Sequence, residues 1–522
     1  MDPGCRHNGP VDRANGTAAQ RTKTAGADFL QLRVENAPPG ARADWLAREI
    51  RAAIADGRLP VGGTLPPSRV LAAELRVSRG VVTEAYRCLT EDGHVAGRGR
   101  AGTVVVAAPV PAPRPAPAAA APGGSLPEGA LFGAAPGTDV FDSLRAAEAP
   151  YDFTPGVPDL ASFPRAAWLR SERAVLAGLS AADLGYGDPR GAPALRTAVA
   201  HWLARNRGIA ADPADVLIVA GVAQALILLA QVLRADGVTA LAVEEPGSLG
   251  ARQHLRYAGM TMPPVPVDAA GIRVDALRAT GARAVLLTPA HQFPTGVVLG
   301  GERRRELMEW ARACGGLIVE DDYDAEHRYD RPPVPAVRAM LPDAVAYTGS
   351  VSKLLAPALR VGWLLPPPRY REALVAAKRF SDLGNGVLPQ LVLARLMESG
   401  DLERQLRLLR RRHRRRRDAM IAGIGRHLPG AVVHGAAAGV HLMITFPGDA
   451  PLVRGRGDLE LASAALAHGV KVQPLSWHRQ RPGPPGLVLG YAASGPARIA
   501  EGISTLGAAL RAPVGRGSGR PG

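Results

Sequence analysis

A helical head with a short β wing, followed by a large α/β unit built on a mainly parallel sheet, is the fold class this sequence predicts. Three observations lead there. The chain has 522 residues, too many for one ordinary core. Residues 28–106 show helical apolar spacing that runs out into a Gly- and Arg-rich stretch, whereas residues 151–511 alternate short apolar runs with amphipathic helices. Between them, residues 107–150 contain Pro-Val-Pro-Ala-Pro-Arg-Pro-Ala-Pro and an alanine run, a composition that favours extended chain and predicts a semi-rigid linker.

Composition narrows the classes. Hydrophobic residues make up 47% of the chain, enough for sizeable cores. Cys5, Cys88 and Cys314 form neither a ligand spacing nor a disulfide framework, which predicts a reducing, cytoplasmic setting. Residues 1–27 and 512–522 are small, polar and aperiodic, so both ends are expected to be disordered, with no secretory signal. The longest apolar stretch, Val216 to Leu233, is interrupted by Gly221, Gln224 and Gln231 and reads as strand, turn and buried helix, not as a membrane span. A formal charge of +16 points to an anionic partner, nucleic acid first.

In the head, a first helix over Arg42–Asp56 places Trp45, Leu46, Ile50 and Ile54 on one face and stops at Gly57. Ser68 is the expected N-cap of a second helix through Leu75. Ser78 is the expected cap of a third, which runs to about Glu91 with Val81, Val82, Ala85, Tyr86 and Leu89 inward. Val95–Val106 reads as a two-stranded wing. Two helices joined by a short turn form the arrangement that lays a recognition helix in the major groove of DNA. Leu65-Pro-Pro-Ser-Arg69, Val77-Ser-Arg79, Ala85-Tyr86, Gly93 and Gly99-Arg-Ala-Gly-Thr103 resemble the winged helix of the GntR family of transcriptional regulators. The resemblance implies DNA contacts from Arg69, Arg79 and Thr83, phosphate contacts near Ser68 and Ser78, and wing contacts from Arg98 and Arg100, on a double-stranded operator with two half-sites.

In the α/β region the expected strands are Val216–Ala220, Ala240–Val243, Ala284–Thr288, Leu317–Glu320 and Ala344–Thr348. Lys353 is one of four lysines in a chain that otherwise writes arginine. A lysine amine can lose its proton and attack a carbonyl; an arginine stays charged. Ser350 stands three residues before it and Arg360 seven after, groups suited to a phosphate, and the set suggests pyridoxal phosphate. Glu320-Asp-Asp-Tyr-Asp324 follows an apolar run, so its carboxylates are expected at the carboxyl end of a strand, where α/β sheets bind ligands. The run Arg404–Arg417 reads as a solvated helix face, with non-specific DNA contact as the alternative.

Gly185-Tyr-Gly-Asp-Pro-Arg-Gly191, Gly221-x-x-Gln-Ala-Leu226, Glu244-Glu-Pro-Gly247, Thr288-Pro-x-His-Gln-Phe-Pro-Thr-Gly296, Glu320-Asp-Asp-Tyr-Asp-x-Glu326 and Ser352-Lys353 resemble the MocR-type subfamily, GntR heads fused to fold-type I aminotransferase-like domains. That resemblance implies a mixed, mainly parallel sheet with a small C-terminal α+β subdomain, and pyridoxal 5'-phosphate bound as an aldimine on Lys353. It assigns Asp321 to the pyridinium nitrogen and Tyr323 to the phenolic oxygen, with His291 or Gln292 nearby. The phosphate falls to Ser350, Ser352, Arg360 and the N–H groups of Val222 and Ala223. Tyr186 would reach the neighbouring subunit's phosphate, which implies a homodimer. The chain departs from the pattern at three places: Gly486 stands where relatives carry a carboxylate-binding Arg, Ser248 where an aromatic is common, and Val222 where Thr or Ser is common. Arg190, Arg252 and Arg479 are the candidate substitutes. The expected function is a regulator that senses pyridoxal phosphate and controls its synthesis. The alternatives are an amine or amino-acid effector acting through the cofactor, and a working aminotransferase.

Overall fold

The computed structural model describes residues 32–38, 40–99, 102–106, 132, 140–328, 335–448, 450–453 and 455–512. The chain divides into two compact units, 1–123 and 124–522. The expectations for residues 1–27, for the proline-rich part of the linker, for most of the C-terminal tail and for Arg100 lie outside the described residues.

The first unit is a three-helix head with a wing. Helices α1 (Arg42–Ala55), α2 (Ser68–Glu74) and α3 (Arg79–Glu91) enclose Trp45, Leu46, Ile50, Leu71, Val82, Ala85 and Leu89. The antiparallel strands β1 (Val95–Gly97) and β2 (Thr103–Val105) form the wing. The sequence misplaces one cap. Pro67 occupies the N-cap of α2 with Ser68 as its first residue, and Ser78 caps α3 without a side-chain hydrogen bond. Backbone geometry starts both helices, with no serine hydroxyl satisfying an N–H. Tyr86 Oη donates to Pro66 O at 2.8 Å and ties α3 to the turn before α2.

The second unit centres on an eight-stranded sheet. In chain order its strands are β3 (Leu217–Val219), β4 (Ala242–Glu245), β5 (Pro264–Asp268), β6 (Gly271–Ile272), β7 (Ala284–Leu287), β8 (Leu317–Asp322), β9 (Val345–Ser350) and β10 (Gly362–Leu365). They lie in the order β3-β10-β9-β8-β7-β4-β5-β6, and only β10 and β6 run antiparallel to their neighbours. Buried runs such as Leu317–Val319 and Val345–Thr348 have no alternation, as expected of parallel strands covered on both faces. Gly349 pairs across to Trp363, whose fully buried indole fills the space a Gly349 side chain would take.

A smaller antiparallel sheet follows, made of β11 (Val432–His434), β12 (His441–Thr445), β13 (Gln473–Pro474) and β14 (Gly486–Gly490). Its core includes two residues from the stretch expected to be linker. Phe132 is buried and stacks on Trp477 with ring centroids 5.3 Å apart, and Leu144, in helix α4 (Val140–Ala146), is buried beside it. Composition averaged over proline-rich sequence hides single apolar anchors of this kind.

One buried pair joins the head of the sheet to the helix Pro193–Arg207. Asp322 Oδ2 accepts from Arg207 Nε at 2.5 Å and from the Tyr347 hydroxyl, and all three side chains are buried. Removing the carboxylate takes the charge partner from a guanidinium in the core. Asp322→Ala is expected to cost about 3–5 kcal/mol, seen as a lowered denaturant midpoint in tryptophan fluorescence.

Candidate cofactor site and nucleic-acid interface

The pleat of β8 sorts the acidic run. Glu320 and Asp322 point to one side: Glu320 accepts the N–H groups of Val337 (3.0 Å) and Arg338 (2.9 Å), and Asp322 holds Arg207. Asp321 points to the other side, where its Oδ1 is sealed from solvent without a hydrogen-bond partner. Burial, then the neighbouring Asp322 and Asp324 carboxylates, push Asp321 from 3.8 up to about 7. A buried acid with a free lone pair is a receptor for a cation or an N–H donor.

Lys353 lies just beyond β9 and is electrostatically coupled to Asp321. Burial lowers its amine below the ordinary lysine range, against the pull of Asp324 and Asp321. The amine donates to the carbonyl of Gly156. Gly156 has φ +81°, and a Cβ built there would lie 3.0 Å from Lys353 Nζ, so a side chain at 156 would crowd the amine. Sequence reasoning missed this residue, since nothing near Gly156 marks a partner almost two hundred positions away.

Tyr323, His291 and Asp324 form one hydrogen-bonded cluster. His291 Nδ1 lies 3.0 Å from Tyr323 Oη and 2.9 Å from Asp324 Oδ2. Burial first, then the Asp324 and Asp321 charges, keep the Tyr323 phenol protonated far above its usual range. His441 packs on the His291 ring at 5.1 Å, and the ligating atoms of His291, Asp324 and His441 lie within 4.8 Å of one another. Asp324 and His441 were not among the expected site residues. Gln292 is brought close, but its amide is committed. Nε2 donates to the carbonyls of Pro246 (2.8 Å) and Phe293 (2.7 Å), and Oε1 accepts from Thr295, which leaves no donor for a ligand.

Groups suited to an anion gather where β3 ends. Gly221, at φ +93°, opens helix α5 (Val222–Ala235) with no side-chain cap, so the first N–H groups, of Val222 and Ala223, precede the helical hydrogen bonds. The Arg360 guanidinium lies 3.7 Å from the position of a Gly221 Cβ. Ser350 Oγ and Ser352 Oγ, 2.7 Å apart, line up at the end of β9. Serine hydroxyls, a guanidinium and a helix start make an anion receptor. Among the expected cofactor residues, Tyr186 stands apart, 96% exposed.

The departures have structural reasons. A Cβ at Gly486 would lie 2.5 Å from Ile444 O and 2.8 Å from Leu475 Cδ2, so that position holds no side chain at all. The next residue on the same face of β14, Val488, packs with Met443, Leu475 and Phe293, and Phe293 lies edge-on to Tyr323 at 6.2 Å. The wall there is apolar. The three candidate arginines are engaged elsewhere: Arg190 with Asp188, Arg252 with the carbonyls of Gly247, Trp477 and His478, and Arg479 with Pro484 O. Ser248 caps helix α6 (Leu249–Tyr257) by accepting from Ala251 N at 3.2 Å.

In the head, Arg69, Arg79, Thr83 and Arg98 are exposed, and Ser68 is half-buried. Arg79 Nε donates to Ser68 Oγ at 3.5 Å, which brings the starts of α2 and α3 together. This arrangement presents cations at the start of an exposed helix, a surface suited to a phosphate backbone and base edges.

Comparison with known proteins follows the same division. Residues 152–483 match the family described as aminotransferase class I and II, and residues 43–105 match the bacterial regulatory proteins of the gntR family. The chain is 33% identical to the probable rhizopine catabolism regulatory protein MocR of Rhizobium meliloti, over 90% of this chain and 93% of that protein. It is 30% identical to the HTH-type pyridoxine biosynthesis transcriptional regulator PdxR of Corynebacterium glutamicum, over 76% of this chain and 82% of that one. The solved multiple substrate aminotransferase of Thermococcus profundus aligns with a TM-score of 0.65 at 27% identity, over 72% of this chain and 95% of that chain.

The Asp321 shift fixes the sign of a pH effect. The folded chain holds the Asp321 proton up to about pH 7, whereas the unfolded chain releases it near 3.8, so stability falls as pH rises through that window. Asp321→Asn cannot ionise. Its urea midpoint is expected to match the parent near pH 4 and to exceed it at pH 8 when no ligand is added.

Proposed function

Because the chain belongs to the gntR-family transcriptional regulators that carry an aminotransferase class I and II domain, we propose that it senses pyridoxal phosphate and reports its occupancy to DNA. One observation carries the reading. The site keeps the groups this cofactor needs, whereas the guanidiniums expected to clamp a substrate carboxylate are engaged with backbone or with Asp188. The residues present fit the group. Asp321 offers an unpartnered buried oxygen for a ring nitrogen, Lys353 a desolvated amine for an aldehyde, and Arg360 with Ser350, Ser352 and the start of α5 a seat for a phosphate. When bound, pyridoxal phosphate supplies an electrophilic aldehyde carbon and an electron-withdrawing ring.

The chain's own groups set the terms of that binding. Lowering the Lys353 proton affinity raises the fraction of free amine at neutral pH, and the Gly156 carbonyl orients it. A cationic ring nitrogen beside Asp321 would pull that carboxyl back to its ionised form. Tyr323, held by His291 and Asp324, offers a protonated phenol as donor. Regulation follows if occupancy changes the preferred conformation of the larger unit and so the placement of two heads on two half-sites. That step rests on a homodimer in which the exposed Tyr186 serves the neighbouring site. The relative PdxR is named for pyridoxine biosynthesis, which supports control of the cofactor's own synthesis as the physiological output.

An external amine condensing at the same place is the second reading. The apolar wall of Met443, Leu475 and Val488 favours an uncharged tail over a carboxylate on any such amine.

Lys353→Ala is expected to abolish the long-wavelength absorbance that appears when an amine condenses with the cofactor's aldehyde. An unchanged spectrum on titration with pyridoxal phosphate would refute the cofactor assignment. Arg79→Ala is expected to weaken specific binding to the promoter beside its own gene by roughly 1–3 kcal/mol, read by footprinting at fixed salt; a retained footprint would sink that role.

A further inference from the structure

The basic run Arg404–Arg417 lies within one helix, α7 (Asp401–His427), whose buried face reads Leu402, Leu406, Leu409, His413, Arg416, Met420 and Ile424. Helical periodicity divides the arginines. Arg404 pairs with Asp401, Arg410 donates to Glu326 O at 2.7 Å, and Arg417 donates to Ala436 O at 2.8 Å and pairs with Asp418. Those arginines hold the surrounding structure. Arg411, Arg412, Arg415 and Arg416 occupy two adjacent stripes one turn apart, and together with Leu408 and Pro496 they line a separate cleft.

We propose that this cleft binds a phosphate-bearing anion. Its lining residues include four guanidiniums and no carboxylate. Behind them Asp159 accepts from Arg412 at 3.3 Å and pairs with Arg416 at 2.9 Å, while Arg412 also reaches Ser162 and Arg416 the Ala492 carbonyl. The inner pair is thereby held in place by one buried carboxylate. Arg411 and Arg415 are exposed and sit at i and i+4, where like charges destabilise an empty helix.

The cleft also meets the start of helix α8 (Pro496–Arg511). Gly495 is its N-cap without a side-chain cap, Pro496 is its first residue, and its first turn carries no acidic residue. The sixteen-residue helix thus contributes its first residue, at the positive end of its dipole, to the cleft lining. Four guanidiniums, a helix start and a single carboxylate behind them suit a multiply charged tetrahedral anion. None of these residues belongs to the Arg360 cradle, and the inference is independent of the cofactor reading.

The phosphate could come from a small metabolite or from a DNA backbone, and the test separates the two. Arg411→Ala/Arg415→Ala leaves Arg412 and Arg416 on Asp159, so the full-length double variant keeps the cleft's inner frame. Calorimetric titration with inorganic pyrophosphate is run on the parent, the double variant and Arg360→Ala. A tenfold or greater loss of affinity in the double variant, retained in Arg360→Ala, supports a free anion. If pyrophosphate affinity is unaffected, the salt dependence of binding to a non-specific duplex decides. A slope reduced by about two in the double variant (each lost phosphate contact accounts for roughly 0.9) supports the DNA backbone as the source. Unchanged pyrophosphate affinity in the double variant together with an unchanged slope overturns the proposal, whether or not Arg360→Ala loses pyrophosphate binding.

Discussion

Seating three consecutive carboxylates at the end of one strand, Glu320 and Asp322 buried and Asp321 half-buried, is the constraint on which the larger unit depends. An acid removed from water needs a partner or a proton, and β8 resolves its three by alternation. Glu320 takes two backbone N–H groups, Asp322 takes Arg207 and Tyr347, and these commitments anchor the strand end. Asp321 is left facing the opposite way with an unsatisfied oxygen. The structure thus leaves an unpartnered carboxylate oxygen on the side of the strand that is electrostatically coupled to the desolvated amine of Lys353.

The same logic separates what the site keeps from what it gives up. The anion cradle survives as a guanidinium close to a glycine at a helix start, with two serine hydroxyls at the adjacent strand end. The opposite wall, where a substrate's carboxylate would need a cation, is filled by Val488, Leu475 and Met443. Arg252, the most deeply placed of the candidate substitutes, donates to three carbonyls and closes the loop around Gly247 and His478. The site thus combines a cradle suited to an anion with an opposite wall that offers a carboxylate no cation.

Much of this was legible in sequence. The strand–glycine–helix reading of Val216–Leu233, the five parallel strands and the winged head follow from apolar periodicity and local turn residues, which are properties of short windows. β10 escaped notice because Gly362–Leu365 is a four-residue apolar run, indistinguishable by periodicity from part of a helix, and its antiparallel placement between β3 and β9 is decided by sheet pairing alone. Phe132 escaped because its burial depends on Trp477, hundreds of residues away. One serine cap failed for a smaller reason: residue type allowed it, but the local backbone put Pro67, not Ser68, at the N-cap of α2, whereas Ser78 stands at the N-cap of α3 without a side-chain capping bond.

Residue identity and spacing determined the chemistry available: a lysine among arginines, an acidic run after an apolar strand, a glycine before a helix, and a charge of +16. Those are local or summed properties, and they are readable one window at a time. Tertiary structure decided which copy of each group is free. It tied Glu320 to two backbone N–H groups and Asp322 to Arg207, turned Asp321 to the other side of the strand, committed Gln292 to its own loop, brought Gly156 against Lys353, and left no room for a side chain at Gly486. It also divided one arginine run between structural contacts and an open cleft. The reason is the same in each case. Whether a polar group is satisfied depends on what the fold packs against it, and those partners are distant in sequence.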